Sequence, residues 1–263
     1  MKQQLSSSTI TKATAKLHLQ IHKNVFILMK QKSTSILPYF LANTQLYIIY
    51  QALEDQFKTF PADTFSQLRQ PQLDSLFDRA EARWDDLQYM QKKYKGLASK
   101  NLPMEKATQE FIIQIDKASP HQWLGFFLVR ILGDLNGGAF VRINLTKIYH
   151  PYFLISGVLK ALQGISIGLE KTDHTVLPNM IHSTHNCCLN QKGTRAYQFD
   201  NDVKKTLESV LPNLCQSDQQ VNETLNASKT AFRLLNTLYD ELHTRMGASE
   251  KVEHTQSAKV KYV

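Results

Sequence analysis

The chain is poor in the residues that punctuate a β protein. Ten glycines and eight prolines in 263 residues supply too few turn formers for many short strands, so an all-α fold is expected. Three cysteines, Cys187, Cys188 and Cys215, build no disulfide framework at this length and fit a reducing compartment. No run of about 18 apolar residues occurs, as a membrane-crossing helix would need. Residues 1 to 8 lack the apolar core of a secretory signal, and the tail from Gly247 is polar with no anchor segment. A cytoplasmic protein without a membrane anchor is expected. Compact basic motifs with interleaved aromatics are also missing, so the net charge of +8 and pI near 9.3 point away from nucleic acid and towards an acidic protein or an anionic small ligand.

A hydrophobic content of 42% supports a substantial core. Residues 1–8 read as a flexible lead, 9–246 as one helical domain with an insertion at about 150–192, and 247–263 as a polar tail. The stripe Ile10, Leu17, Ile21, Val25 and Leu28 predicts a first helix to about Lys32, capped by Ser8 or Thr9. Pro38 opens a second helix, to about Phe57. A third covers Leu76 to Leu87 with its charges on the outer face, followed by a basic connection of Lys92, Lys93, Lys95 and Lys100. Met104 to Lys117 makes a fourth.

The organising stretch is the fifth, His121 to Tyr149, where Trp123, Leu124, Leu128, Ile131, Leu135 and Phe140 recur at helical steps behind Pro120. Its middle holds Gly133, Gly137 and Gly138, each costing about 1 kcal/mol against alanine in a helix interior. Gly133 and Gly137 share a face, giving a bare strip on which a second helix, a bilayer partner or a flat ligand can lie. Arg130 and Asp134 inside the apolar run exclude the bilayer partner. A carboxylate beside the strip is costly to bury unless it is paired or in use, which favours a ligand.

Leu132-Gly133-Asp134-Leu135-Asn136-Gly137-Gly138, preceded by Arg130, resembles the distal-helix signature of haem oxygenases, with Asn136 where the family has serine. Leu46 to Glu54 resembles the family's second helix, and Ala227 to Phe232 with Leu238 to Leu242 its last core helix. The likeness lapses after Tyr149 and returns at Phe199.

The resemblance implies a multi-helix bundle that grips haem between the first helix and the glycine-bearing distal helix. It makes His18 the proximal iron ligand, places haem against Gly133, Gly137 and Gly138, and gives Asp134 the task of holding a proton-delivering water, with Arg130 keeping it ionised. Tyr50 would join the distal hydrogen-bond network and Lys204 would contact a haem propionate. Glu208 replaces the family's next propionate contact, and His22 stands where a glutamate is usual. The implied reaction is oxidative cleavage of haem to biliverdin, carbon monoxide and ferrous iron, with electrons from a reductase or ferredoxin. The alternative is a non-catalytic haem binder or regulator of the same fold. A zinc site at His174, His182, His185, Cys187 and Cys188 is not expected, because the spacings fit no standard ligand pair.

Overall fold

The computed structural model describes residues 4–30, 36–97, 103–149, 193–200 and 202–259. Helices span Ser7–Lys30 (α1), Leu37–Thr59 (α2), Arg79–Lys93 (α3), Lys106–Asp116 (α4), Pro120–Tyr149 (α5), Val203–Val210 (α6) and Asp218–Lys259 (α7), joined in part by short 3-10 turns; there is no strand among the described residues. The expected insertion, with its histidines and its cysteine pair, lies outside the described residues, as does the side chain of His22.

The cap of α1 falls two to three residues before the expected one. Ser6, not Ser8 or Thr9, accepts the backbone N–H of Thr9 on its hydroxyl at 3.0 Å, and Leu5 just ahead is fully buried. The lead is therefore tied into the core by residue 5. In α2 Pro38 sits in the first turn, where a missing N–H breaks no helical bond. Helix α5 opens on a reciprocal cap: Ser119 Oγ accepts from Gln122 N at 3.3 Å, and Gln122 Oε1 accepts from Ser119 N at 3.0 Å.

Helix α7 runs between α1 and α5, packing on both, while α2 packs on α3 and α4. Phe57, Phe77, Phe127 and Trp123 form a ring of stacked aromatics with centroids 4.3 to 5.1 Å apart. Trp123 Nε1 donates to Leu53 O at 3.0 Å, which fixes the start of α5 on α2. The segment Pro120–Leu145 is long and apolar enough to cross a membrane by length and composition, but it serves as the core helix of this bundle.

The close helix packing that the glycine strip suggested occurs elsewhere on α5. A Cβ added to Gly125 would sit 2.3 Å from Thr224 O and 2.8 Å from Ala227 Cβ, because α7 lies directly on the backbone there. Ser228 Oγ donates across the same contact to Gly125 O at 3.2 Å. Gly125→Ala is expected to lower stability by about 3 kcal/mol, since the obstruction is backbone, and the melting temperature by roughly 5–10 °C. Thermal unfolding of the haem-free protein checks this.

Helix α3 is not charged on its outer face alone. Ala80, Arg83, Leu87 and Met90 form its buried stripe, and Arg79 and Asp86 are buried too. Each buried charge has a task. Asp86 accepts the N–H groups of Arg195 (2.7 Å) and Ala196 (2.9 Å), clamping the segment that carries Tyr197. Glu54 Oε1 accepts Ala80 N at 2.8 Å and so caps α3 from outside.

Burial pushes the Glu54 carboxyl up to about 7, against the opposing pull of the N–H groups of Ala80 and Arg79. A carboxyl whose folded value lies above its unfolded one binds more protons when folded, so stability falls as pH rises from about 4.5 to about 7. Asp86, raised by burial to about 6, acts in the lower part of that window. Glu54→Gln keeps the acceptor and removes the titration. Melting curves at pH 5, 6, 7 and 8 should therefore fall less steeply for the variant, with the difference spread across pH 5 to 7 and small above it.

Candidate active site

A cavity of about 520 Å³ is lined by Ser7, Ile10, Thr11, Thr14, His18 and Ile21 from α1 and by Val129 to Val141 positions of α5, closed by Tyr39 and Ala42 of α2 and by Phe232, Leu235 and Tyr239 of α7. The surfaces expected to face each other thus line one space, and that space is in the size range of small-molecule and cofactor sites. His18 is half-buried on the α1 wall, its ring packed edge-on against Phe232 with centroids 5.6 Å apart.

The α5 wall is bare where the sequence places Gly133 and Gly137. A Cβ on Gly137 would meet nothing within 4 Å, and one on Gly133 would meet only Arg130 Nη1, at 4.0 Å. Gly138 differs. It is buried, and a Cβ there would lie 3.4 Å from the Tyr197 side chain. Gly138 therefore accommodates Tyr197, a cavity-lining residue from the returning segment, in addition to touching the cavity itself.

Asp134 is the centre of a buried polar cluster. Its Oδ1 accepts from Arg130 Nη2 at 2.9 Å, one helical turn back. Its Oδ2 accepts from the Tyr50 hydroxyl at 2.7 Å and from Arg83 Nη2 at 2.5 Å. Burial pushes the Asp134 carboxyl up, but the Arg83 and Arg130 guanidiniums, with the Tyr50 hydrogen bond, outweigh it and hold it below the usual carboxylate range. Arg83 is held well above its ordinary value, burial being overcome by Asp134, Tyr197 and Tyr50. Burial raises the Tyr50 hydroxyl, with the Asp134 charge adding to it, and raises Tyr197 to about 12, so both stay protonated.

Tyr50 is fully buried and reaches Asp134 from behind the cavity wall, since it does not line the cavity itself. Lys204 is exposed on α6 and donates to Asn136 Oδ1 at 2.8 Å; Asn136 in turn lines the cavity, which places the ammonium at its rim. Glu208, one turn along α6, and Lys205 are both exposed.

Sequence reasoning missed Arg83, Asn43, Tyr197 and Tyr239. Arg83 hydrogen-bonds Asn43 Oδ1 and lies 3.4 Å from the Tyr197 hydroxyl, so helices α2 and α3 and the returning segment all meet behind Asp134. One signal was available: Arg83 occupies an apolar register of the α3 stripe between Ala80 and Leu87. Tyr197 gave none, because it stands in a short turn fixed by distant residues.

The structure is similar to that of haem oxygenase from Leptospira interrogans, with 19% identity, a TM-score of 0.58, and coverage of 89% of this chain and 98% of that one. It is also similar to haem oxygenase-1 from the cyanobacterium Synechocystis in complex with haem, with 17% identity, a TM-score of 0.62, and coverage of 95% and 98%. At these identities the likeness establishes the fold. No curated protein matches the sequence. The model of the family described as "Heme oxygenase" matches residues 4–241, nearly the whole chain, and the protein belongs to the haem oxygenase family.

Proposed function

We propose that the chain is an enzyme that binds haem in the α1–α5 cavity and cleaves it oxidatively to biliverdin, carbon monoxide and ferrous iron. The observation that carries this reading is the pairing across one cavity of an imidazole, His18, with a side-chain-free strip, Gly133 and Gly137, that an ionised carboxylate flanks. The residues present fit a flat porphyrin. A methyl at Gly133 or Gly137 would project into the space such a ring fills, and the opposite wall offers a nitrogen ligand.

Bound haem supplies the iron at which oxygen is reduced and the porphyrin edge that is oxidised. His18 on the α1 wall would hold the iron through a ring nitrogen. Asp134, kept ionised by Arg130 and Arg83, has one lone pair of Oδ1 left over to hold a water, through which a proton is delivered into the cavity. Arg130 and Tyr50 fix the direction of that carboxylate. Leu132, Val129 and Phe140 keep other water away from the strip. Lys204, which donates to Asn136 at the rim, would be available to pair with a propionate.

Electrons come from a separate reductase or ferredoxin. An acidic donor would be attracted by the overall charge of +8, and Lys92 and Lys93 in the last turn of α3 and Lys95 just after it are exposed. A cytoplasmic setting belongs to the same reading.

The test is to load the purified protein with haemin, add ascorbate and oxygen, and follow the spectrum. Loss of the haem band with growth of a bile-pigment band is the expected result. A stable haem complex that forms no bile pigment would identify a non-catalytic haem binder, and no spectral change on adding haemin would reject haem altogether.

A further inference from the structure

The cluster around Asp134 does not balance in charge. Two buried guanidiniums, Arg83 and Arg130, share one carboxylate. The other groups that face them are the hydroxyls of Tyr50, Tyr197 and Tyr239, all held protonated by burial, and these bring no negative charge. Asp86, the next carboxylate, lies one turn along α3 from Arg83 and feels its charge, but its oxygens are hydrogen-bonded to the N–H groups of Arg195 and Ala196 and neither pairs with a guanidinium of the cluster.

Donors are in surplus as well. The Nε atoms of Arg83 and Arg130 and the Nδ2 of Asn43 are buried with no acceptor among the described residues. Arg130 is the member of the pair that lines the cavity, its Nη1 4.0 Å from where a Gly133 side chain would begin. If Arg130 alone faced Asp134, the pair would be neutral. Arg83 withdraws part of that neutralisation from behind.

We infer that Arg83, by sharing Asp134 with Arg130, leaves a positive charge uncompensated on the cavity wall beside Gly133, so that this wall selects small anions as ligands over neutral molecules of similar size. Arg83 acts here through Asp134 and Arg130 and is a positioning residue. In the haem-loaded protein the inference rests on the reading above; in the haem-free protein it does not.

The test compares the wild type with Arg83→Lys, which keeps the charge, and with Arg83→Met and Arg83→Gln, which remove it while leaving Asp134 paired to Arg130. In the haem-loaded protein, spectral titration with azide should show affinity about ten-fold weaker in Met and Gln and within about three-fold of wild type in Lys. Affinity for neutral imidazole should change by less than about three-fold in all of them. In the haem-free protein, azide should raise the melting temperature of wild type and Lys above that in gluconate at equal ionic strength, and this difference should vanish in Met and Gln.

Equal azide affinity in the charged and neutral variants, or an equal loss for azide and imidazole, would overturn the inference. Where haemin fails to load, the functional reading fails and the haem-free comparison decides the anion site alone. A Met variant that does not fold leaves Gln and Lys to decide.

Discussion

Replacing His18 by alanine is expected to remove the haem spectrum of the loaded protein and to weaken haemin binding by about 100-fold or more. The expectation follows from how few alternatives the cavity offers. Among the described histidines, His121 packs its ring against Phe65, and the His243 ring is engaged with Asn24 O at 3.1 Å; neither lines the cavity. His18 is half-buried on the cavity wall rather than in the core, so the melting temperature of the haem-free variant should stay within about 2–3 °C of wild type. That separates loss of a ligand from loss of the fold. The space left by the imidazole faces the cavity, and millimolar imidazole added to the variant should restore the spectrum. A His18→Ala protein that keeps the wild-type spectrum without added imidazole would reject His18 as the ligand.

The parts of this site that were readable in the sequence are those whose reason is local. Gly133, Gly137 and Asp134 stand within five residues of one another, and helical spacing alone places the two glycines on one face. His18 was readable only through the resemblance, since a histidine on an apolar helix face is otherwise an ordinary core residue. What stayed hidden depends on partners far apart in the chain. Arg83 meets Asp134 across 51 positions, and Arg195 meets Asp86 across 109. A helix as polar as α3 looks solvated until its neighbours show which charges are paired inside.

Gly125 was passed over for the opposite reason. It stands alone, without the repeat that drew attention to the later glycines, yet it is where α7 presses on the α5 backbone. Gly138 looked equivalent to Gly137 by adjacency, but the next residue on a helix points about 100° away, which turns it towards Tyr197. The start of α1 was displaced by the burial of Leu5, a single apolar residue in a polar stretch with too little pattern to register.

Replacing Asp134 by alanine should lower bile-pigment yield by at least about 100-fold while haemin still binds, because proton delivery by a positioned group contributes on the order of 10²–10⁴ to rate. The same change has a structural cost that must be separated from the chemical one. It strips Arg83 and Arg130 of their shared counter-charge, and an ion left unpaired inside a protein costs about 3–5 kcal/mol. The variant should therefore melt well below wild type, and a low yield by itself would not distinguish a lost proton path from a damaged cavity. The double variant Arg83→Met with Asp134→Asn makes that distinction. It removes one cation together with the anion, and its amide offers an oxygen to Arg130 and an NH2 that the Tyr50 hydroxyl can accept, so it should recover much of the melting temperature and the haem spectrum. It has no carboxylate to hold the water, so its bile-pigment yield should stay near that of Asp134→Ala. Recovery of yield along with stability in the double variant would show that the carboxylate serves the fold and that the proton arrives by another path.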